Sequence, residues 1–570
     1  MTMTNSTSQP ISAAELLLNA MHTAGIDYLF ANAGTDFPPI IEGLARAPET
    51  KLDMPSALVI PHETVAVAMA HGYYLVTGRP QAVMVHVNVG LANSLMGLIN
   101  AAADNVPILM CSGRTPATET GRLGSRSRPI HWGQEMRDQG AMVRESVKWD
   151  YELRYPEQAG ALVTRALAVA QSAPAGPVYL SLPREVLAET VTIDAGPASA
   201  PAPSRLGSPS ADAVGQAADL LAAAKRPLIV AQRPASFADF GPLPAFAERF
   251  ALPVVDFWAV RNALSSDHPM HLGYDTAALI GECDVIIALD ALVPWVPEVE
   301  GPAAGYKVIA LGADPLFSRV PVRGFPLDVN LAGDPAAAIT ALASALDERG
   351  AARSPAVAER RKWVAERRFE IEETCARRIE AGRTQPMSPA WVSHCLSEAK
   401  DEDAIIFTEL GCDVSVMRFE RPQTLFRNPL SGGLGWALPA ALGAKLANRE
   451  RSIIACVGDG SYMFANPVAC HQTAAIHDLP ILTVIFNNTV WNAVRRATKS
   501  MYPQGRAVAA NTIPITSLGT SPDYAAIARA HGAFAEKVEE ADALPDAIAR
   551  ALKATREEGR QALLNVAVSY

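Results

Sequence analysis

GDGSYMFANPVACHQTAAIHDLPILTVIFNN occupies positions 458–488. An apolar run, 453–457, precedes it and suits a strand buried on both faces. Gly458-Asp459-Gly460-Ser461 breaks that run. Asn466 followed by Pro467 reads as a helix start, with a capping side chain and then proline at the first helical position. The spacing predicts about three helical turns over 468–477, ended before Pro480. A second apolar run rich in β-branched residues follows at 481–486. Strand, helix, strand implies parallel strands. Asp459 and Asn487-Asn488 then both lie just past the carboxyl ends of parallel strands, the edge where open α/β sheets bind ligands.

A carboxylate and an amide oxygen are hard donors suited to magnesium, which takes few protein ligands and fills its octahedron with water and phosphate oxygens. Gly460 and Ser461 offer backbone N–H groups beside a helix start, which favours phosphate. The stretch therefore reads as a magnesium-diphosphate clamp. The bland alternative is a polar turn and a capped helix, and a lone GDG would not decide between them. GDG and NN, separated by residues 461–486 that hold a helix and a strand, are much more specific.

That spacing resembles the thiamine diphosphate motif of the acetolactate synthase, pyruvate decarboxylase and benzoylformate decarboxylase superfamily. The resemblance extends over essentially the whole chain. It implies three doubly wound α/β domains, binding the pyrimidine, central, and binding the diphosphate. The expected boundaries are 1–190, a linker at 191–210, 211–350, a linker helix at 351–385, and 386–570.

Composition is compatible with this. The chain has 570 residues, 49% hydrophobic, enough for about three domains with large cores. A net charge of -10 argues against a nucleic-acid binder. Seven scattered cysteines without a CxxC pair fit reduced thiols and a cytoplasmic protein. The polar N-terminus lacks the layout of a signal peptide, and no run reaches membrane-span length. In the first segment, 13–24 reads as a helix and 28–30, 57–60, 82–87, 107–111 and 176–183 as strands. The linker 191–210 is rich in Ala, Pro and Ser. The middle segment alternates likewise, with strands at 227–231, 252–256, 284–289 and 307–311. The charged helix near 356–383, with Arg360, Arg361, Arg367 and Arg368, reads as a solvated face.

Thiamine diphosphate needs a carboxyl group in a partly desolvated place, able to hold or share a proton near neutrality. Glu63, in PHETVAVAMAHGYYLVTG (61–78), sits at a strand-to-helix junction followed by apolar residues. It could equally be a helix-start Glu stabilised by the dipole. The segment resembles the family's HE…GYARATG pattern, which implies that Glu63 is the catalytic carboxylate contacting the pyrimidine. By the same resemblance Asn93, in the stretch 85–113, lies near the cofactor. His86 stands where benzoylformate decarboxylase carries a proton-handling histidine, though a strand-end histidine bonded to backbone fits as well. Thr35 fits a substrate-binding position. His268, in DHPMHLG, is a candidate second catalytic histidine, against a structural role common to HP dipeptides.

In the last segment, LSGGLGWALPAALG (430–443) resembles the stretch holding the bulky residue that bends the cofactor, which implies Leu434. Gly411 and Cys412, in ELGC, are implied at the diphosphate with Gly460 and Ser461. Asp459 and Asn488 would bind magnesium through side-chain oxygens and Val490 through its carbonyl. Trp491 would wall the substrate pocket. No GxGxxG and no acetolactate synthase middle-domain signature is present, so FAD is not expected. The pyruvate decarboxylase HH pair is not evident, His131-Trp132 being the nearest candidate. The resemblance implies a non-oxidative decarboxylase or carboligase acting on a small 2-oxo acid. The carbon that loses carbon dioxide is either protonated, releasing an aldehyde, or joined to a second carbonyl as in acetolactate synthase. It also implies a homodimer or homotetramer with active sites at the subunit interface. Neither nucleic acid nor membrane is expected as a partner.

Overall fold

The computed structural model describes residues 10–191, 201–233, 241–510 and 512–569. The N-terminal tail and residues 192–200 of the linker at 191–210 lie outside the described residues, while 201–210 carry no regular element. The chain divides into two compact units. One is the chain up to Arg205 with Ser431–Gly433, and the other is Leu206–Leu430 with Leu434 onward.

Short apolar runs form three parallel sheets, each buried on both faces by crossover helices. In the first unit the order is Ser56–Val59, Tyr28–Asn32, Gln81–Val85, Ile108–Arg114, Val178–Pro183, Asp150–Glu152. The strand order reverses between Tyr28–Asn32 and Gln81–Val85, where Asn32 pairs with Val85. Residues 33–36 and His86 therefore leave the sheet side by side. The first helix, Ala13–Thr23, starts in a capping box in which the Ser12 hydroxyl accepts from Glu15 N–H and Glu15 reaches back to Ser12 N–H. The helix Glu63–Thr77 is buried from Val65 through Leu75, on every face.

The second unit holds two sheets. The central one runs Val254–Val255, Pro227–Ala231, Val285–Leu289, Lys307–Gly312, Val329–Ala332. The last strand, in the half-polar sequence DVNLAG, has too weak an apolar run to stand out in the sequence. The C-terminal sheet runs Leu425–Arg427, Ile405–Glu409, Ile453–Gly458, Leu482–Asn487, Ala562–Ala567, Phe534–Val538, the same connectivity as the first sheet.

Four local expectations are corrected. The strand read through residue 87 stops at Val85, and Val87 begins the helix Val87–Ala103 at φ +32°, a strained value for a β-branched residue. Gly458-Asp459-Gly460-Ser461 is no loop, because a short helix, Asp459–Phe464, starts on the aspartate. Asn466 does precede the helix Pro467–Ile476, but in the left-handed conformation and without a side-chain cap. Arg360 is no solvated charge. It is 3% exposed and donates to the carbonyls of Leu221, Ala224 and Phe250, satisfying helix C-terminal acceptors. Arg368 likewise bonds Ser266 O and His268 O. All seven cysteines are unpaired. Among the described residues no helix is long and apolar enough to cross a membrane.

Candidate active site

In the first unit, strand topology brings together residues that are distant in sequence. Glu63 begins its helix, where the dipole favours a carboxylate. Its Oε2 accepts from Asn93 Nδ2 at 3.2 Å, and His62 Nδ1 lies 3.9 Å away. Asn93 is held in turn, its carbonyl accepting from Thr64 Oγ1 at 3.2 Å. A Cβ on Gly90 would sit 3.3 Å from Glu63 Oε1, so this helix passes the carboxylate closely.

His86 Nδ1 lies 2.5 Å from Asp36 Oδ1. The other oxygen of Asp36 accepts from Val87 N–H at 3.2 Å, so one carboxylate holds the imidazole and the strained backbone beside it. Asp36 is 3% exposed. The bond to Asp36 lifts the imidazole above its ordinary pKa against burial, with Asp36 and Glu63 adding charge attraction. On the other edge, Gln134 Nε2 is 3.2 Å from His86 Nε2. A side chain on Gly34 would overlap the imidazole, and one on Gly113 would overlap Asp36, so both glycines make room for the pair. Thr35 is exposed beside them. Its carbonyl accepts from Arg184, which also binds the carbonyls of Gly124 and Ser125 and so ties the 115–135 loop to this strand end. His131, on that loop, is buried and held below its ordinary pKa by burial and by Arg184, Arg128 and Arg126.

In the second unit, Gly458 pairs with Phe486, which puts Asp459 beside the end of the neighbouring strand. Asp459 is 3% exposed. It accepts from Gly460 N–H at 2.8 Å and Thr489 N–H at 2.6 Å. Burial raises its pKa and these backbone donors oppose the rise. Asn488 Oδ1 lies 3.1 Å from Val490 N, which donates to it. Asn487 points elsewhere, to Ser521 and Asn565. Trp491 lies across Gly460, where any side chain would overlap the indole, and meets Phe464 edge-on at 5.8 Å. Ser461 is buried on the same short helix. A Cβ on Gly411 would crowd the backbone of Cys456, so Gly411 presses against the neighbouring strand, and Cys412 follows it. Leu434 is half-buried and precedes Gly435, whose N–H donates to Glu409 at 2.6 Å. Glu409 also accepts from Trp436 and Ala437 N–H, so it fixes that turn.

The donors suit magnesium and a diphosphate. They are one buried carboxylate, one amide oxygen and one backbone carbonyl, all hard oxygens. Among the described residues Asp459 has only backbone donors as hydrogen-bond partners, so a divalent cation would supply the charge it lacks. Among the described residues no cluster of three or more His, Cys, Asp or Glu could hold a metal, and this donor set needs none. His268 is placed differently. Its Nδ1 accepts from Met270 N–H at 3.2 Å and its carbonyl accepts from Arg368, so it anchors a turn of the central domain.

Asp36 and Gln134 escape the sequence reading. Asp36 looks like a helix-entry residue before Pro38-Pro39, and Gln134 sits in a polar loop. A hint lay in Thr35 and His86 both falling at strand ends, but only the sheet order makes those strands neighbours.

Comparison with known proteins identifies the domains. Three family models fit: the N-terminal binding domain of thiamine pyrophosphate enzymes over residues 11–142, the central domain over 214–342, and the C-terminal binding domain over 410–566. A probable 2-ketoarginine decarboxylase of Pseudomonas aeruginosa is 28% identical, over 94% of this chain and 90% of that one. Acetolactate synthase isozyme 1 large subunit of Escherichia coli is 24% identical, over 88% and 86%. Among solved structures, benzoylformate decarboxylase from Polynucleobacter necessarius superposes with a TM-score of 0.76 at 22% identity, over 98% of each chain, a likeness of fold. Three domain models in the expected order, and relatives matched almost end to end, show that the chain belongs to the thiamine pyrophosphate enzyme family.

Proposed function

We propose that the protein is a thiamine diphosphate- and magnesium-dependent, non-oxidative decarboxylase of a 2-oxo acid, working in the cytoplasm as a homodimer or homotetramer. The domain division is 1–190, 211–350 and 386–570. The observation that carries the reading is the His86 imidazole, held by Asp36 with a raised pKa and lying within the field of Glu63. The cofactor, when bound, supplies the nucleophilic carbon and the electron sink. Glu63, steadied by Asn93, holds the proton that the pyrimidine ring shares. Asp459, Asn488 and the Val490 carbonyl would hold magnesium, and Gly460 and Ser461, in the first turn of the helix that starts on Asp459, would line the diphosphate. Gly411, Cys412 and Leu434 shape the cofactor's bed. Thr35 and Trp491 bound the substrate. His86 would hold a proton at Nε2 for the substrate carbon left after loss of carbon dioxide, and protonation there in place of a new carbon–carbon bond favours an aldehyde product. His268 has a supporting part in its turn.

A second reading is a carboligase that joins two 2-oxo acids, favoured by the match to acetolactate synthase along most of the chain. Product analysis separates the two. Enzyme loaded with thiamine diphosphate and magnesium would be offered pyruvate, benzoylformate and a branched 2-oxo acid. Wild type would run beside Glu63→Gln and His86→Ala. Aldehyde that depends on both residues is the expected outcome, with losses of about 10²-fold or more. Acetolactate from pyruvate, indifferent to His86→Ala, would move the assignment to the synthase. Full turnover in Glu63→Gln would sink the mechanism.

A further inference from the structure

The sequence pointed to His86 but not to what surrounds it. Its ring has two edges, and the structure assigns a different protein group to each. Nδ1 faces a carboxylate that is almost wholly buried, 2.5 Å away. Nε2 faces a primary amide, 3.2 Å away. The carboxylate is itself fixed, because its second oxygen accepts from Val87 N–H. Gly34 and Gly113 leave the space in which the pair sits.

Building on the reading of His86 as proton donor, we propose that Asp36 and Gln134 are its positioning residues. Asp36 keeps the proton of a neutral ring on Nδ1, so Nε2 is the atom that gains and gives up the transferred proton. Gln134 tracks the state of Nε2. Its amide N–H donates to the neutral ring, and a turn of the amide presents Oε1 to the protonated one. The arrangement follows the logic by which the bond on one histidine nitrogen sets the chemistry of the other. Nothing is oxidised or reduced. One proton leaves Nε2 for the substrate carbon and is replaced from solvent, to which the His86 side chain is 19% exposed.

The titratable and charged groups facing His86 are Asp36 from the first strand end, Glu63 from its helix start, and His131 from the loop. Asp36 and Glu63 raise the imidazole, and burial opposes them. The acid form is therefore present below the raised pKa and is lost as pH rises through it. Without the Asp36 charge that loss comes at lower pH.

The test uses full-length protein and two readouts. The first needs no substrate. Diethyl pyrocarbonate acylates only neutral imidazole, so the pH dependence of labelling on the peptide carrying His86, followed by mass spectrometry, reports its protonation. Asp36→Asn keeps the shape and can still accept from Val87 N–H. The expected result is that His86 becomes reactive at lower pH in Asp36→Asn than in wild type. The second readout is turnover of the loaded enzyme. Asp36→Asn should lower kcat about ten- to a hundredfold, the loss of a hydrogen bond to a charged group, with KM little changed. Its alkaline limb should move to lower pH. In a His86→Ala background the same change should cost less than twofold, because the two residues act as one unit. Gln134→Ala should lower kcat severalfold without moving the labelling midpoint downward as far. An unchanged labelling midpoint in Asp36→Asn would overturn the proposal, as would an equal loss of kcat in the His86→Ala background. His86→Ala at full turnover would instead remove the underlying reading of His86, whatever the labelling shows.

Discussion

The first and the C-terminal sheets are built on one plan. In each, the first strand lies between the second and the third, and the order ends with the sixth strand inside the fifth. Each therefore opens a crevice where its order reverses. What fills the two crevices differs. In the first sheet, Asp36 and His86 satisfy each other through their side chains. In the C-terminal sheet, Asp459 is buried to the same degree but receives only backbone N–H groups. The central sheet gives a third solution at its own reversal. There Gln232, fully buried, accepts from Leu292 N–H and donates to Phe257 O, closing the crevice with the chain's own groups. Topology chooses the place, and the residues at the strand ends decide whether its carboxylate has a side-chain partner, has only backbone donors, or is absent and the crevice sealed.

The sharpest way to break this comparison is to remove the unbalanced charge. Asp459→Asn should weaken magnesium-dependent binding of thiamine diphosphate by about a hundredfold in calorimetry, the order expected for losing a charged contact. The matching change in the other crevice, Asp36→Asn, should leave that binding within about threefold. Equal losses in both would mean that the two crevices are not chemically distinct.

Glycines test the same contrast more gently. Alanine at position 34 would place a Cβ inside the His86 ring, and alanine at position 460 would place one inside the Trp491 ring. Each should cost about 1–3 kcal/mol of stability by overpacking, read by denaturant unfolding. Their functional effects should diverge. Gly34→Ala should cut turnover about tenfold by displacing the imidazole, with cofactor binding retained. Gly460→Ala should weaken cofactor binding first, because it pushes on the residue next to Val490.

How much of this was legible depended on whether the signal was local. Buried parallel strands announce themselves as apolar runs, so the α/β class and most strands could be read directly. GDG and NN stand at the ends of neighbouring strands that follow one another in the chain, joined only by the two helices Asp459–Phe464 and Pro467–Ile476, and the spacing alone brings Asp459 near Asn488. Asp36 and His86 are also on neighbouring strands, yet another strand and two helices separate them in sequence, so only the reversal of strand order joins them. Arg360 failed for a related reason. Its partners are carbonyl oxygens of helix ends more than a hundred residues away, which no charge pattern in its own helix could reveal. The left-handed Asn466 shows a different limit, because Asn-Pro marks a helix start without saying which backbone conformation the asparagine takes.

The smallest expected effect concerns how each carboxylate is supported. Asp459 leans on backbone N–H groups, which side-chain truncation does not remove. Glu63 leans on one side chain, Asn93, through a bond of 3.2 Å at a partly exposed position. Asn93→Ala should therefore cost about 1 kcal/mol, or about fivefold in turnover, while leaving cofactor affinity nearly unchanged. Asn93→Asp should cost more, because it sets a second carboxylate against the first. The two variants together distinguish a group that merely fills space beside Glu63 from one that orients its charge. If alanine and aspartate behave alike, the carboxylate is held by its own helix start alone, and the two crevices are supported in the same way after all.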